Sequence, residues 1–239
     1  EAHIQSMSEK YEKLSEVNPG VKVLKPYYSG DKKAVRFTFL KGKTLAEILG
    51  EQIKGKKAPV EALKSAMDQV FGQAVLKKEP FSPTKLFTEV FGDSEEVISL
   101  KDASYEVSNI DGLFENLMVT ADGLYCMDYE WVFDFPIPAG FVRYRNLVYF
   151  YYKYEGLMEY ENAAQFLKEF GLDEKLAETY ASMEVSFQTW VHGDGTQGYM
   201  GNYKQRLVTL EELKAQEKEL AQARERINQL QAEVEERNI

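Results

Sequence analysis

One short stretch of this sequence, between residues 109 and 131, is rich in oxygen-bearing side chains, among them Asp111, Asn116, Asp128 and Glu130. Asn116 and Asp128 stand at the two ends of a predicted β-hairpin, and Asp111 lies in the loop just before it. An amide and a carboxylate that face each other can share a hard cation such as Mg²⁺, which prefers oxygen ligands. The spacing therefore predicts a metal site at Asn116 and Asp128, and Asp111 is near enough in the sequence to reach the same space. Ordinary capping of turns by Asp and Asn is the alternative interpretation.

The predicted hairpin has two apolar strands and a three-residue loop that ends in glycine, the residue usually needed for a left-handed conformation. With Asp122 at the centre of the loop, Leu117 pairs with Met127, and Asn116 faces Asp128. Directly opposed residues of an antiparallel pair lie ~4.5–5.5 Å apart. We therefore expect the two side chains to converge, whereas an all-α interaction domain with an incidental hairpin would keep them apart.

The composition of the 239-residue chain argues against several classes of protein. Lysine and arginine number 29 against 39 aspartates and glutamates, and the net charge of −10 does not suit a general nucleic-acid-binding surface. A single cysteine, Cys126, excludes an internal disulfide framework and favours a reducing, cytoplasmic location. His3 and His192 cannot complete a zinc cluster with it. No apolar run is long enough for a membrane span, and no signal peptide is visible.

Short strands and helices are predicted around the hairpin. Apolar residues at spacings of three and four predict an amphipathic helix within residues 1–17, and two strand patterns follow at 21–24 and 34–40. Thr44 is a predicted N-cap for the next helix. Residues 93–102 are expected to form a loop.

The stretch 141–160 is an unusually aromatic predicted helix whose apolar residues cover much of its circumference, which indicates burial on several sides. Arg143 and Arg145 lie two positions apart in it and so point in different directions. One of them is a candidate partner for an acidic residue of the site, Asp134 or Glu130, and a surface role is the alternative.

The C-terminal part of the sequence differs in character. Prolines in residues 133–138 are expected to preclude regular structure just after the hairpin. From residue 207 the pattern becomes that of a heptad repeat with charged flanks, which favours a coiled-coil helix over 207–239 and an oligomer formed through it. A solvated single helix is the alternative. The residues at seven-residue spacing are Leu213, Leu220, Ile227 and Val234.

The order of these features resembles a protein-kinase-like or aminoglycoside-phosphotransferase-like fold. Residues 111–116, D-G-L-F-E-N, match the family's D-x-x-x-x-N catalytic loop. Residues 128–130, D-Y-E, follow the hairpin where the family has its metal-binding DFG-type segment. Residues 37–45 resemble the last small-lobe strand, the hinge and the following helix. The sequence departs from the family pattern at Asn109, where His is usual, and at Glu130, where Gly is usual.

The resemblance implies an α+β, kinase-like two-lobed fold. Residues 1–43 would form an incomplete small lobe with the hinge, residues 44–206 a mainly helical large lobe, and residues 207–239 the coiled-coil helix. A glycine-rich phosphate loop and a strand lysine would lie upstream, so the chain is expected to be truncated at its N-terminus. Glu1 would then be the small-lobe glutamate that pairs with this lysine at the nucleotide.

The resemblance also implies an activity. Asp111 would accept the proton of an acceptor hydroxyl, while Asn116 and Asp128 would hold Mg²⁺ beside ATP. Glu130 would either supply a third oxygen ligand to the metal or mark a degenerate site. The acceptor would be a small molecule or a glycan, because a kinase-like domain with a coiled coil resembles bacterial enzymes of surface-polysaccharide synthesis. The alternative is a catalytically inactive, pseudokinase-like scaffold or dimerisation module in a multidomain glycan-synthesis protein that carries a glycosyltransferase or methyltransferase.

Overall fold

The computed structural model describes residues 2–30, 34–54 and 59–193, together with Arg226. Contacts within the chain divide it into two units, Glu1–Gln205 and Arg206–Ile239, and the fold described below belongs to the first. Two predictions fall outside the described residues. They are the nucleotide-side role of Glu1 and the coiled coil at 207–239, within which Arg226 alone is described.

The described residues form eight α-helices and ten short strands. The helices are α1 (Ala2–Val17), α2 (Leu45–Lys54), α3 (Pro59–Phe71), α4 (Lys85–Phe91), α5 (Glu95–Ile98), α6 (Ala139–Tyr154), α7 (Ala163–Lys168) and α8 (Glu174–His192). The strands are β1 (Lys22–Val23), β2 (Tyr27–Tyr28), β3 (Val35–Arg36), β4 (Lys43–Thr44), β5 (Ser104–Tyr105), β6 (Ser108–Asn109), β7 (Leu117–Thr120), β8 (Gly123–Cys126), β9 (Val132–Phe133) and β10 (Ile137–Pro138). The fold is therefore α+β, as predicted, and not all-α. No helix in the described part of the chain is both long enough and apolar enough to cross a membrane.

A four-stranded sheet in the order β1-β8-β7-β4 supports the candidate site. Strands β7 and β8 form the predicted hairpin, β4 pairs antiparallel with β7, and β1 runs parallel to β8. At the end of β4, the Thr44 hydroxyl accepts a hydrogen bond from the Glu47 amide at 3.2 Å. The Glu47 carboxylate accepts one from the Thr44 amide at 2.7 Å. This reciprocal pair is a capping box, and it confirms the N-cap predicted at Thr44.

The register of the hairpin differs by one residue from the prediction. Leu117 pairs with Cys126 and not with Met127, so the connecting loop has two residues and not three. The Met127 amide donates to the Asn116 carbonyl at 2.9 Å, which places Asn116 opposite Met127. The predicted pairing of Asn116 with Asp128 across the strands is therefore wrong.

Polar contacts of the turn account for the shorter loop. Thr120 pairs with Gly123, whose φ of 136° lies in the region that favours glycine. The Thr120 hydroxyl donates to the Asp122 carboxylate at 2.7 Å, and the Tyr125 hydroxyl donates to the same group at 2.8 Å. Lys22 of the neighbouring strand adds an ion pair with Asp122 at 3.1 Å. These side chains hold Asp122 within a two-residue turn.

Three other local predictions need correction. The expected loop at 93–102 contains α5, which the Ser94 hydroxyl caps by accepting from the Val97 amide at 3.4 Å. Residues 133–138 are not wholly irregular, since β9 pairs with β6 and β10 pairs with β5. Proline is tolerated in these two-strand pairings because some backbone N–H groups of an edge strand take no part in the hydrogen bonds between strands. The strand expected at 34–40 is limited to β3, which pairs with β2.

Helix α6 lies at the centre of the core, as its aromatic sequence predicts. Most of its side chains are buried, including Phe141 and Phe150. Tyr144 packs against Tyr180 of α8 with ring centroids 5.7 Å apart, and Phe141 packs against Phe91 of α4 at 5.3 Å. Packing against α4 and α8 therefore fixes the position of α6.

Candidate active site

The predicted site residues line one open cleft of ≈ 380 Å³. Asp111, Asn116, Asp128 and Glu130 all contribute to its wall. The hairpin register was predicted wrongly, but the structure still brings these four side chains to the same cleft. The other polar and aromatic groups in the wall include Trp131, Arg145, Tyr149, Phe187, Gln188 and His192.

Asp111 is held by hydrogen bonds from two segments. Its amide donates to the Asn109 side-chain oxygen at 3.1 Å, and its carboxylate accepts from the Trp131 amide at 3.2 Å. Burial raises the pKa of Asp111 to about 6, against the opposing effect of the Arg145 guanidinium. The carboxylates of Asp128 and Glu130 add to the rise. A carboxylate with a pKa near neutrality suits a general base.

The orientation of the Asn116 amide is fixed by the loop itself. Its nitrogen donates to the Asp111 carbonyl at 2.9 Å, and its backbone amide donates to the Leu113 carbonyl at 2.8 Å. Because the side-chain nitrogen is used within the loop, the side-chain oxygen is the atom that Asn116 can present to a cation.

Asn109 connects the loop to the segment after the hairpin. Its side-chain nitrogen donates to the Asp128 carbonyl at 2.8 Å and lies 3.2 Å from the Cys126 sulfur. The same side chain accepts from the Asp111 amide, so one residue sets the positions of both aspartates. The sequence showed Asn109 only as a departure from a family pattern. Burial raises the pKa of the Cys126 thiol to about 12, which keeps it protonated and unreactive.

Helix α6 contacts the loop that carries Asp111 at three points. The Arg145 guanidinium donates to the Ile110 carbonyl, and the Asn146 side chain donates to the Gly112 carbonyl at 3.2 Å. Lys153 forms an ion pair with Glu115 at 2.7 Å. These contacts fix the backbone on both sides of Asp111.

The predicted ion pair of one arginine with Asp134 or Glu130 is not formed in the described structure, and the alternative surface role holds for Arg143. Arg145 pairs with Glu184 of α8 at 2.7 Å, and both side chains are buried. Arg143 lies exposed over the Phe71 ring, and Asp134 instead pairs with Lys13 of α1 at 2.7 Å. Glu184 was missed because nothing in the sequence near Arg145 indicates a partner 39 positions away.

Glu184 is also the acceptor for two polar residues of the cleft. The Tyr149 hydroxyl donates to its carboxylate at 2.7 Å, and the Gln188 side chain donates at 2.8 Å. His192 is the last residue of α8 and lines the cleft. A buried network of charged and polar groups therefore adjoins the cleft.

The donor set at the cleft partly fits Mg²⁺. Asn116 and Asp128 supply an amide oxygen and a carboxylate, and Mg²⁺ usually takes only one or two protein carboxylates beside water and phosphate oxygens. Within the described ranges, no three His, Cys, Asp or Glu side chains are grouped so that they could hold a metal ion. The described structure therefore gives no support to Glu130 as a further ligand beside Asp111 and Asp128.

A second cavity of ≈ 70 Å³ lies on another side of the same loop. Its described lining is mainly apolar, with side chains from α1, α3 and α6, and it contains no acidic or basic residue. Such a wall does not suit phosphate or metal chemistry.

No family model matches the chain, and neither a curated protein nor a solved structure matches it. The geometry of the cleft is therefore the basis for assigning a function.

Proposed function

We propose that this chain is a Mg²⁺-dependent, kinase-like phosphotransferase, which moves a phosphoryl group from a nucleotide such as ATP to a hydroxyl of a small molecule or glycan. One observation supports the proposal most directly. Asp111, whose pKa is raised to about 6, lines the same cleft as Asn116 and Asp128. A general base beside two oxygen ligands is the arrangement that phosphoryl transfer to a hydroxyl requires.

Each residue has a distinct role in this proposal. Asp111 accepts the proton of the acceptor hydroxyl as that oxygen attacks the phosphorus atom. Asn116 and Asp128 would hold Mg²⁺, which supplies positive charge to the phosphate oxygens when bound. Asn109 and Arg145 keep the loop in place, so that the base and the metal ligands are positioned before the substrate arrives.

The order of elements supports a kinase-like, two-lobed arrangement. Strands β1 to β4 precede α2, and the Asp111 loop, the β7–β8 hairpin and the acidic segment at 128–130 then follow one another before the buried helix α6. This order agrees with the resemblance of residues 37–45, 111–116 and 128–130 to the hinge, catalytic loop and metal-binding segment of that family.

Metal binding tests the proposal. We expect Mn²⁺, followed by electron paramagnetic resonance, to bind one site per chain, and Mg·ATP to raise the melting temperature. Asp128→Ala should weaken Mn²⁺ binding at least tenfold and abolish the thermal shift, because it removes the charged ligand. The matched control is Asp93→Ala, which changes an exposed aspartate outside the cleft. Equal Mn²⁺ binding by both variants would contradict the proposed site.

A kinase-like scaffold without activity is the second candidate, and one observation favours it. The described carboxylates of the cleft do not form a three-residue metal group. In this alternative the cleft is a structural remnant, and the proposed coiled coil at 207–239 dimerises a multidomain glycan-synthesis protein. A wild-type chain that dimerises in light scattering but binds neither Mn²⁺ nor Mg·ATP would establish it. A cytoplasmic location is proposed for either function, since the single cysteine is buried and free.

A further inference from the structure

Lys10 of α1 brings a positive charge to the acidic cleft. Its ammonium group donates to the Glu130 carbonyl at 2.6 Å, although 120 positions separate the two residues in the chain. The side chain is half-buried. The carboxylates of Glu130 and Asp111 are close enough to act electrostatically on the ammonium.

The neighbouring cations of the described structure are already engaged with carboxylates. Arg145 is buried against Glu184, Lys13 pairs with Asp134, and Lys153 pairs with Glu115. Lys10 differs from them in its described contact, which is a hydrogen bond to a backbone carbonyl. An ammonium group has three N–H donors, so this contact leaves donors that an incoming oxygen can use.

We infer that Lys10 is a phosphate-binding residue, which donates to a phosphate oxygen of the nucleotide in the cleft. The inference rests on the proposed function, since it places a phosphate beside Asp111 and Asp128. Phosphoryl transfer needs positive charge around the transferred group, and three acidic side chains at the cleft increase that need. In the described strands that precede α2, Lys22 and Lys43 are paired with Asp122 and Glu51, and Lys10 supplies the charge from a helix.

The surroundings of Lys10 suit this role. Burial lowers its pKa, while the carboxylates of Glu130 and Asp111 act in the opposite direction. A partly dehydrated ammonium interacts more strongly with an anion than an exposed one, because less water screens the pair. The Lys13–Asp134 ion pair and the hydrogen bond from the Ser8 amide to the Tyr28 hydroxyl hold α1 in position around it.

Lys13 provides a matched control on the same helix. It lies one turn from Lys10, carries the same charge and contacts the neighbouring acidic segment through Asp134. Its side chain is largely exposed, and its partner Asp134 is not part of the cleft wall, whereas Glu130, the partner of Lys10, is. If binding weakens only because α1 loses a positive charge or packs less tightly, the loss should be seen in Lys13→Met as well as in Lys10→Met.

Two titrations on the full chain test the inference, one with Mn²⁺ alone and one with Mg·ATP. In Lys10→Met, we expect Mg·ATP affinity to fall ~10- to 100-fold, the range for a charge-assisted hydrogen bond. Mn²⁺ alone should bind as tightly as in the wild type or more tightly, because a repelling charge has gone. Lys10→Arg should keep most of the Mg·ATP affinity, and Lys13→Met should change both affinities less than about threefold. Circular dichroism checks that each variant is folded.

The outcomes separate the two claims. If Lys10→Met keeps wild-type Mg·ATP affinity, or loses Mn²⁺ and Mg·ATP affinity together, Lys10 does not bind phosphate, and the proposed function is untouched. If the wild-type chain binds neither Mn²⁺ nor Mg·ATP, the proposed function fails, and the role of Lys10 fails with it.

Discussion

At the scale of single residues, Asp111 shows how the fold adjusts the chemistry of an ordinary side chain. Burial and two nearby carboxylates disfavour its ionised form, whereas Arg145 and the Trp131 amide stabilise that form. The disfavouring effects are larger, so the pKa rises to about 6. A buried carboxylate with a raised pKa is a stronger base, but its ionisation lowers the stability of the folded chain.

Asp111→Asn is therefore expected to stabilise the chain at neutral pH. The folded-state pKa of Asp111 is raised above its unfolded value, so ionisation lowers wild-type stability as pH increases from about 4 to about 6. The variant does not titrate there, and its advantage above pH 7 should reach at most about 3 kcal/mol. Urea denaturation in EDTA at pH 4 and pH 7.5 measures the effect. A variant advantage that is equal at both pH values would contradict the raised pKa.

At the scale of elements, the local side-chain contacts of a turn or a helix end decide where that element begins. Thr44 and Glu47 satisfy each other's backbone amides at the start of α2, next to the sheet that supports the site. In the hairpin, hydrogen bonds to Asp122 select a two-residue turn and shift the register by one position. The cap at Thr44 was predicted from the sequence, whereas the register of the hairpin was predicted wrongly.

Removal of the α2 cap should measurably destabilise the chain. Thr44→Ala eliminates the hydroxyl that accepts from the Glu47 amide, and the expected cost is ~1 kcal/mol. Thr189→Ala is the matched control, since the Thr189 hydroxyl bonds only the preceding turn of α8 at an exposed position. Free energies of unfolding from urea titrations test the difference. Similar losses in the two variants would show that the capping box does not contribute.

At the scale of the whole molecule, one buried ion pair connects the site to the helical core. Arg145 of α6 and Glu184 of α8 are nearly inaccessible to water, with 3% and 4% of their side chains exposed. Arg145 also donates to the Ile110 carbonyl, so the pair joins two helices and the Asp111 loop. Charges buried to this degree must be stabilised by each other, because water cannot hydrate either of them.

Glu184→Leu should be among the most destabilising single substitutions in the chain. It leaves the Arg145 charge buried without a carboxylate, with an expected cost of ~3–5 kcal/mol. The double variant with Arg145→Met should recover part of that loss. Glu51→Leu, which breaks the exposed Lys43–Glu51 pair, is the control and should change stability by less than ~1 kcal/mol. A cost below ~1 kcal/mol for Glu184→Leu would mean that water reaches the pair.

Much of the local structure and the chemical character of the site could be predicted from the sequence. Apolar periodicity located α1, the buried helix α6 and the two strands of the hairpin, and the position of Thr44 just before the next helix identified it as an N-cap. The residue types of Asn116 and Asp128 indicated oxygen ligands, the family resemblance implied Asp111 as a base, and all three line one cleft. These features depend on side chains that act within a few positions of one another, and such spacings are visible in the sequence.

The rest was decided by contacts between distant parts of the chain. Lys10 reaches Glu130 across 120 positions, and Arg145 finds Glu184 across 39, with no local pattern to indicate either partner. The pKa of Asp111 likewise depends on burial and on charges from other segments. The sequence by itself determined which groups are available for chemistry. Only the tertiary structure decided how they are arranged and charged, because distance and exclusion of water arise when the elements pack together.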